Sequence, residues 1–442
     1  MNTPICDFVR KYALDDNLRL HMPGHKGRGE VERFDLTEID GADSLYEASG
    51  IIKESEANAS VFFGAHTLYS AEGSSLAIRA MLYLATLGSS GERALILAGR
   101  NAHKVFLSAA ALLDFDVEWL STDESYLSCT PTAEELSAKL DSMAKKPRAV
   151  YITSPDYLGN MADIGALARV CHDRGVKLLV DNAHGAYLAF TKPSMHPISL
   201  GADMCTDSAH KTLPCLTGAA YLHISRSAPD SLRARAKSAL SLFGSTSPSY
   251  LILASLDMAN AYLFSGYKEK LDKFIKKLDE LKKNLIKVGY EVVGNEPMKL
   301  TIKPKSYGYT GYELADILKK NRIVHEFADP DYIVLMPTPE ITDEELAKLE
   351  VVLLTVKKES PITALPPKLT VGEAVLTPRE AIFSEAESVS VDEAEERILA
   401  DISVGCPPAV PIVVSGERIG KEAIDAFRYY GIETLFVVKE EK

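Results

Sequence analysis

The chain has 442 residues, of which 46% are hydrophobic and 25% charged, so it can bury one large core and a smaller one. Its 62 acidic and 49 basic residues give a formal net charge of −13, which argues against nucleic acid or an anionic membrane as the main partner. A small cationic substrate would be tolerated by this charge.

The six cysteines stand singly along the chain and form no Cys-x-x-Cys pair, so the sequence indicates neither a zinc site nor a disulfide framework. Free cysteines fit a reducing cytoplasm. The N-terminal residues alternate charged and apolar types, and no later segment has the uninterrupted apolar length of a membrane span. We therefore expect an unexported, cytoplasmic protein.

Helical and strand patterns alternate from residue 75 to residue 180. Helix signals occur in GSSLAIRAMLYLATLGSSG, AHKVFLSAAALLDF and TAEELSAKLDSMAKK, and strand signals occur in RALILAG and DVEWLST. RAVYITSP, DIGALARVCHDRG and VKLLVDNAHG then form a strand–helix–strand unit whose helix is closed by Gly175. This repetition predicts an α/β fold with a mostly parallel central sheet covered on both faces.

Two polar residues follow directly from this pattern. In parallel sheets, chemistry is found at the carboxyl ends of the strands. Ser154 and Asp181 each end an apolar strand run. We therefore expect both residues at the functional site.

After Gly266 the chain begins a lysine-rich amphipathic helix, YKEKLDKFIKKLDELKKNLIKVG, whose charges we interpret as a solvated face. The strands KLTIKPK and DYIVLMP and the helix GYELADILKKN follow, and a proline-rich link leads to a C-terminal tail. We predict three parts: an N-terminal segment with the large domain that holds the site (1–265), a small α+β domain (266–360), and a C-terminal element packing with the small domain (361–442).

The motif SAHKTLPCLTGAA places Lys211 between His210 and Thr212, ahead of several small residues. A lysine in such a tripeptide is ordinarily on the surface. A lysine that forms a Schiff base, however, needs a confined pocket, and small neighbours allow close packing around a ring. Ser208 and His210 could hydrogen-bond an anion such as a phosphate beside it. Lys211 is therefore our candidate for binding pyridoxal phosphate.

A pyridoxal phosphate site needs three further partners, and the sequence offers each. Asp181 could keep the ring nitrogen protonated, although a strand-end aspartate can also be a cap. Gly73, Ser74 and Ser75 precede a long helix whose N-terminus could bind the phosphate, although such triplets also cap ordinary helices. His103, at a helix start, could stack on the ring, although a lone histidine there is usually a surface residue. The four signals in this order favour the cofactor.

The motifs around these residues resemble the pyridoxal-phosphate-dependent ornithine/lysine/arginine decarboxylases, which have the aspartate aminotransferase fold (fold type I). The resemblance runs nearly end to end and rests on LRLHMPGHKG, DLTEIDGADSLYEASGIIKESE, RNAHKV, TSPDYLGNMADI, VDNAHGAY, SAHKTLPCLTGAAYLH, STSPSYLILASLD and GCPPAVPIVVSGERI. Large members also carry an N-terminal regulator-like domain, whereas HMPGHKG begins here at His21. The chain thus resembles the short form, and no decamer built through that domain is expected.

The resemblance implies roles for individual residues. Lys211 would carry the cofactor, His103 would stack on its ring, and Asp181 would pair with the pyridinium nitrogen. These three would be the catalytic residues, and no metal ligand is expected. The residues expected to bind the cofactor are Gly73, Ser74, Ser75, His103, Ser154, Asp181, Ala183, His184, Ser208, His210 and Lys211.

Some positions depart from the family pattern. Asn182 stands where glutamate is usual, Ala209 where threonine is usual, and Gly218 where glutamine is common. None of them removes a cofactor contact that the resemblance implies. They bear on the pocket and on the choice of substrate.

The resemblance further implies decarboxylation of a basic amino acid, as in polyamine biosynthesis. We favour arginine to agmatine, then lysine to cadaverine or ornithine to putrescine. Asp43 and Glu47 are candidate partners for the cationic side chain, although both also suit a solvated loop. A homodimer with its active site at the subunit interface is implied by the resemblance alone.

Three alternatives differ from this function. An aminotransferase, or another fold type I enzyme, would use Lys211 to move a proton after Cα–H cleavage and would form a keto acid without CO2. A non-catalytic cofactor-binding protein would bind the cofactor without turnover, and the intact Lys211 and Asp181 argue against it. A dinucleotide enzyme is disfavoured, because no Gly-x-Gly-x-x-Gly opens a strand–helix turn.

Overall fold

The computed structural model describes residues 1–15, 17–88, 91–120, 128–368, 371–406 and 410–440. Within these ranges, no helix combines the length and the apolar character that a membrane crossing requires. The described helices are α1 (Pro4–Leu14), α2 (Ile51–Phe63), α3 (Gly73–Thr86), α4 (Lys104–Leu113), α5 (Ala133–Ser142), α6 (Ile164–Asp173), α7 (Ala209–Thr212), α8 (Asp230–Ser241), α9 (Tyr250–Phe264), α10 (Tyr267–Val288), α11 (Gly311–Lys320), α12 (Asp343–Thr355), α13 (Pro378–Phe383) and α14 (Lys421–Tyr429). The described strands are β1 (Ala65–Ser70), β2 (Leu95–Gly99), β3 (Asp116–Leu120), β4 (Ala149–Thr153), β5 (Lys177–Asp181), β6 (Met204–Asp207), β7 (Ala220–Ser225), β8 (Glu291–Val293), β9 (Leu300–Lys303), β10 (Phe327–Ala328), β11 (Ile333–Leu335), β12 (Ala386–Ser390), β13 (Ser403–Cys406), β14 (Val410–Val414) and β15 (Thr434–Val438).

Residues 1–88 and 164–272 form one compact unit. In it, β5 and β6 pair in parallel with Asp181 opposite Thr206, while β7 runs antiparallel to both β6 and β1. Since two reversals restore the direction, β1 runs the same way as β5 and β6. The carboxyl ends of these three strands therefore lie at one edge, and the segments that follow them begin there.

Residues 89–163 and 273–442 form the second compact unit. In it, β2 pairs in parallel with β3 and β4, and all five residues of β2 are buried, as expected for a strand covered on both faces. A separate antiparallel sheet has the order β10-β11-β9-β8, and β12/β15 and β13/β14 form two-stranded ladders. The apolar core near the C-terminus includes Ile412, Phe427 and Leu435.

A buried ion pair joins the two sequence segments of the second unit. Arg100, directly after β2, donates from its two terminal nitrogens to the two oxygens of Glu417 at 2.8 and 2.7 Å. The side chains are 7% and 2% exposed. Glu417 also accepts the N–H of Val414 at 3.0 Å, and the guanidinium lies 5.0 Å from the ring centre of Trp119. Both charges are thus paired and hydrogen-bonded out of contact with water.

Four of the described helices in the second unit begin at the same sequence signal. In α5, α11, α12 and α13 a threonine precedes the helix and bonds reciprocally with a glutamate three residues later. At α5, the N–H of Glu135 donates to Thr132 Oγ1 at 3.2 Å, and the N–H of Thr132 donates to Glu135 Oε2 at 2.7 Å. The Thr-x-x-Glu spacing therefore fixes where these helices start.

The predicted alternation of helices and strands is confirmed from α3 to β5, and Gly175 follows α6 with a φ of 61°. The lysine-rich helix is α10, and its apolar stripe, which includes Leu271, Leu278 and Leu285, is buried. Residues 121–122, at the end of the predicted strand DVEWLST, and residues 407–409 of the C-terminal motif lie outside the described ranges. The domain boundaries at 265 and 360 stay predictions.

Candidate active site

The carboxyl-end edge of the first unit gathers the segments that the sequence singled out. Helix α3 follows β1, the loop 182–185 follows β5, and α7 follows β6. Ser208 Oγ donates to Ser74 Oγ at 2.8 Å, although the two residues are 134 positions apart. The N–H of Gly73 donates to the carbonyl of Gly218 at 2.7 Å. Strand order thus brings the predicted phosphate-binding residues of two distant segments together.

Lys211 lies in the short helix α7, close behind β6. Its Nζ is 3.0 Å from Nε2 of His184, in the loop after β5. Its backbone N–H donates to the carbonyl of Ser208 at 3.1 Å. The neighbouring His210 donates from Nδ1 to the Ala219 carbonyl at 2.9 Å, because a carbonyl oxygen can only accept. An imidazole nitrogen beside an amine can take up its proton, and the unprotonated amine is the nucleophile.

Asp181 is the last residue of β5 and is 2% exposed. Its Oδ1 accepts the N–H of Ala183 at 3.2 Å, and Ala183 is itself buried. A buried strand-end carboxylate can hold a proton on the nitrogen of a heteroaromatic ring. The strand-end position predicted for Asp181 is therefore confirmed, and its role toward a cofactor stays a prediction.

The N-terminus of α3 suits an anion. This helix has no acidic residue in its first turn, and no described side chain caps it. Gly73 has a φ of 72°, and a Cβ built on it would meet no atom within 4 Å. Because the N–H groups of a helix N-terminus carry partial positive charge, open space beside them can accept phosphate oxygens. The hydroxyls of Ser74 and Ser208 add donors at the same place.

Pyridoxal phosphate requires an amine, a carboxylate and a phosphate cradle, and the first unit has candidates for all three at one edge. Thr212 Oγ1, next in sequence to the amine-bearing Lys211, is buried and has no hydrogen-bond partner among the described residues. A buried hydroxyl without a partner costs free energy in a protein core, but it is common where a bound ligand supplies the partner. The residues present therefore fit this cofactor.

Two predicted residues belong to the second unit. His103 precedes α4 and caps it, because its Nδ1 accepts the N–H of Val105 at 3.2 Å. A neutral His103 therefore carries its ring proton on Nε2. Ser154 follows β4, is 2% exposed, and accepts the N–H of Ala162 at 3.1 Å through Oγ. These contacts are structural, and the cofactor roles of both residues stay predictions.

A buried cluster at the end of β6 was not predicted from the sequence. Asp207 accepts from Nδ2 of Asn182 at 2.6 Å and from Nε2 of both His196 and His223 at 3.0 Å. Burial alone would raise the pKa of Asp207, but the two imidazoles outweigh it and hold the pKa well below its usual range. The strand-end rule that selected Asp181 applies equally to Asp207 and could have found it.

Asp43, a candidate substrate partner, is used inside its own loop. Its carboxylate accepts the backbone N–H groups of Ser44, Ser49, Gly50 and Ile52 at 2.9–3.0 Å. Burial alone would raise its pKa, yet these four donors outweigh burial and lower it. Asp43 therefore holds the turn before α2, and we do not propose it as a substrate contact.

Comparison with protein families gives two matches. A model described as the major domain of Orn/Lys/Arg decarboxylases matches residues 3–293. A model described as the C-terminal domain of the same family matches residues 368–436. Together they account for most of the chain, and the first extends into the predicted small domain.

Individual relatives agree with the family match. The uncharacterized protein YaaO of Bacillus subtilis is 31% identical over 96% of this chain and 93% of its own length. An arginine decarboxylase of the same organism is 30% identical over 96% of this chain and 92% of its own. Among solved structures, the Francisella novicida lysine decarboxylase LdcF matches with a TM-score of 0.81 and 19% identity, covering 99% of this chain and 81% of that one. The last match establishes the fold.

Proposed function

Because this chain belongs to the Orn/Lys/Arg decarboxylase family of pyridoxal-phosphate-dependent, fold type I enzymes, we propose that it releases CO2 from arginine to give agmatine. The family match supports decarboxylation of a basic amino acid. The observation that carries the proposal is the pairing of Lys211 Nζ with His184 Nε2 at 3.0 Å, at the edge where Asp181, Ser74 and Ser208 also lie.

The choice of arginine rests on relatives. Proteins of Bacillus subtilis and Halalkalibacterium halodurans that are 30% and 29% identical over more than nine-tenths of this chain are named arginine decarboxylases. Lysine and ornithine are the second and third candidates, since a lysine decarboxylase of Pseudomonas aeruginosa also matches, at 25% identity over 57% of this chain.

Each residue then has a task. Bound pyridoxal phosphate supplies a ring that draws in the electron pair left on the α-carbon as CO2 departs. Lys211 Nζ is the amine that binds the cofactor, and His184 Nε2 takes up the proton that this amine must lose. Asp181 keeps the ring nitrogen protonated, and Ser74, Ser208 and the N-terminus of α3 hold the phosphate. On the family resemblance alone, we also propose cofactor roles for His103 and Ser154.

The proposal is tested on the purified protein with pyridoxal phosphate. Absorption near the visible edge is recorded before and after adding arginine, lysine or ornithine, and released CO2 and amine are measured in the same sample. Wild type should show a Lys211-dependent band and form agmatine from arginine. The Lys211→Ala variant should lose the band and the activity, whereas the exposed control Lys348→Ala should keep both.

Other outcomes would identify the alternatives. A keto acid without CO2 would make the protein an aminotransferase or a related fold type I enzyme. A band without turnover of any of the three amino acids would identify a non-catalytic cofactor-binding protein. Cadaverine or putrescine in place of agmatine would keep the proposed decarboxylation and change only its substrate.

We also propose a cytoplasmic homodimer with the active site at the subunit interface, as the family resemblance implies. Light scattering coupled to size-exclusion chromatography should then give about twice the chain mass of 48.2 kDa. A monomer that retains full activity would contradict the shared site.

A further inference from the structure

Four potential metal ligands converge in the core of the first unit. Cys205 and Asp207 alternate along β6, so their side chains lie on the same face of the sheet. In the antiparallel pairing of β6 with β7, His223 is directly opposite Cys205 and shares that face. His196 stands immediately before the turn at 197–200 and completes the group. All four side chains are buried.

The donor atoms are close enough to share one ion. Nε2 of His196 and Nε2 of His223 each lie 3.0 Å from Oδ2 of Asp207, and Sγ of Cys205 lies 3.8 Å from Nε2 of His196. All four donor atoms lie within 4.8 Å of one another. In a tetrahedral zinc site, with Zn–N of ~2.0 Å and Zn–S of ~2.3 Å, neighbouring donors are about 3.3–3.6 Å apart. Small side-chain shifts would therefore bring the four donors around a central ion.

Neighbouring groups contact the ligands on the side that faces away from the cluster. Oγ1 of Thr67 lies 2.9 Å from Nδ1 of His223, the ring nitrogen that faces away from the cluster. The amide of Asn182 donates to the outer oxygen of Asp207 at 2.6 Å. The ring centre of Phe63 lies 4.4 Å from the ring centre of His223, so an apolar ring packs beside this ligand. Such outer contacts orient metal ligands and raise the affinity of a site.

We propose that His196, Cys205, Asp207 and His223 form a binding site for one Zn²⁺-like divalent transition metal ion. Two imidazoles, a thiolate and one carboxylate suit zinc or cobalt, whereas calcium and magnesium require a cage of oxygens. A dication balances the carboxylate and the thiolate, so the buried site becomes neutral. The proton of the Cys205 thiol leaves to solvent, and each imidazole moves its single proton from Nε2, which now donates to Asp207, to Nδ1.

This proton placement has two structural requirements. Nδ1 of His223, which accepts from the Thr67 hydroxyl while Nε2 carries the proton, must instead donate to Oγ1 of Thr67. Nδ1 of His196 now accepts the N–H of Ile198 at 3.4 Å, a long contact that must be given up when Nδ1 carries the proton. The ion would bind Asp207 at the end of β6, and Asp207 accepts a hydrogen bond from Asn182, directly after β5. The ion would thereby connect the ends of the two strands. Ser208 and Asp181, the sequence neighbours of Asp207 and Asn182, belong to the candidate cofactor site. The ion would therefore stabilise the positions of these two residues without being part of that site.

The test measures metal directly and does not depend on catalysis. Untagged wild type, grown with zinc and then passed over a chelating resin, should retain about one zinc per chain by mass spectrometry. After exchange to cobalt, a thiolate-to-cobalt band should appear in the near ultraviolet. Cys205→Ser should lose this band, while Cys215→Ser, which removes a cysteine outside the cluster, should keep it. Thr67→Val should weaken zinc binding about 10–100-fold.

The zinc content and the cobalt spectrum of the wild-type protein are sufficient to reject the proposal. If it retains less than about a tenth of an equivalent of zinc and develops no cobalt band, the four side chains form only a hydrogen-bonded core network. A cobalt band of equal strength in Cys205→Ser would assign the metal to another place and would equally reject this site.

Discussion

Lys211 Nζ and His184 Nε2 lie 3.0 Å apart, although one residue follows β6 and the other follows β5. The contact exists because the two strands are parallel neighbours, so that their following segments start at the same edge. It pairs the candidate nucleophile with a group that can accept its proton.

Replacing this acceptor should slow the reaction. His184→Gln keeps an oxygen that can accept from Lys211 Nζ but cannot take up a proton, so we expect CO2 release to fall by about 10²-fold or more at saturating cofactor. His172→Gln is the control, because His172 is half exposed and contacts Asp203 on the surface. An unchanged rate in His184→Gln would remove His184 from the mechanism.

The hydroxyl pair Ser74–Ser208 should act as a unit. Since the two oxygens are 2.8 Å apart, removing either one should weaken cofactor binding by roughly 1 kcal/mol, about fivefold. The double variant to alanine should deviate from additivity, because the residues are in contact. Affinity is read from titration of the apoenzyme with pyridoxal phosphate. Ser241→Ala, in α8, serves as the control, and equal affinities in all variants would place the phosphate elsewhere.

Breaking the Arg100–Glu417 pair should destabilise the second unit strongly. Glu417→Gln leaves a buried guanidinium without its counter-charge, for which we expect a loss of about 3–5 kcal/mol in the free energy of unfolding. The matched control is Asp392→Asn, which breaks the exposed pair with Arg428 and should cost less than about 1 kcal/mol. Urea unfolding of both variants makes the comparison, and similar losses would contradict the expected effect of burial.

Asp329 should give stability a distinct pH dependence. Burial raises the pKa of Asp329 to about 7. The backbone N–H groups of Asp331 and Tyr332, which donate to its carboxylate, lower the pKa but do not outweigh burial. Between about pH 4 and pH 7 the unfolded state releases this proton while the folded state keeps it, so stability falls as the pH rises through this window. Asp329→Asn keeps an acceptor for both N–H groups and removes the titration.

The difference between variant and wild type isolates this effect. We expect the stability of Asp329→Asn relative to wild type to increase by roughly 2–3 kcal/mol from pH 5 to pH 8 in urea unfolding. Asp343→Asn, at an exposed position, should show no comparable trend. A constant difference across the range would mean that Asp329 is already ionised at pH 5.

Much of the candidate site follows from local sequence signals. The apolar run before Asp181 marks the end of a strand, and the glycine and serines at 73–75 mark the start of α3, so local pattern alone locates both. Lys211 stands out because its unusual neighbours match those of a cofactor lysine. In each case the informative residues are adjacent in sequence.

The missed features depend on pairing between distant segments. His223 reaches Asp207 only through the register of β6 with β7, and His196 only through the turn that packs beside them. Arg100 looks like any loop arginine until Glu417, 317 residues away, is placed opposite it. Periodicity reports which residues are buried, but it carries no information about which buried partners meet.

The Arg100–Glu417 pair also bears on the order of events during synthesis. A ribosome adding about 5–20 residues per second makes Glu417 roughly 15–60 s after Arg100. For that interval the nascent β2 segment ends in a guanidinium whose burial has no compensating charge, so the second unit cannot reach its final packing. The first unit is fully synthesised at residue 272, well before Glu417 is made. Truncated chains ending before residue 417 should therefore depend on chaperones through their second unit.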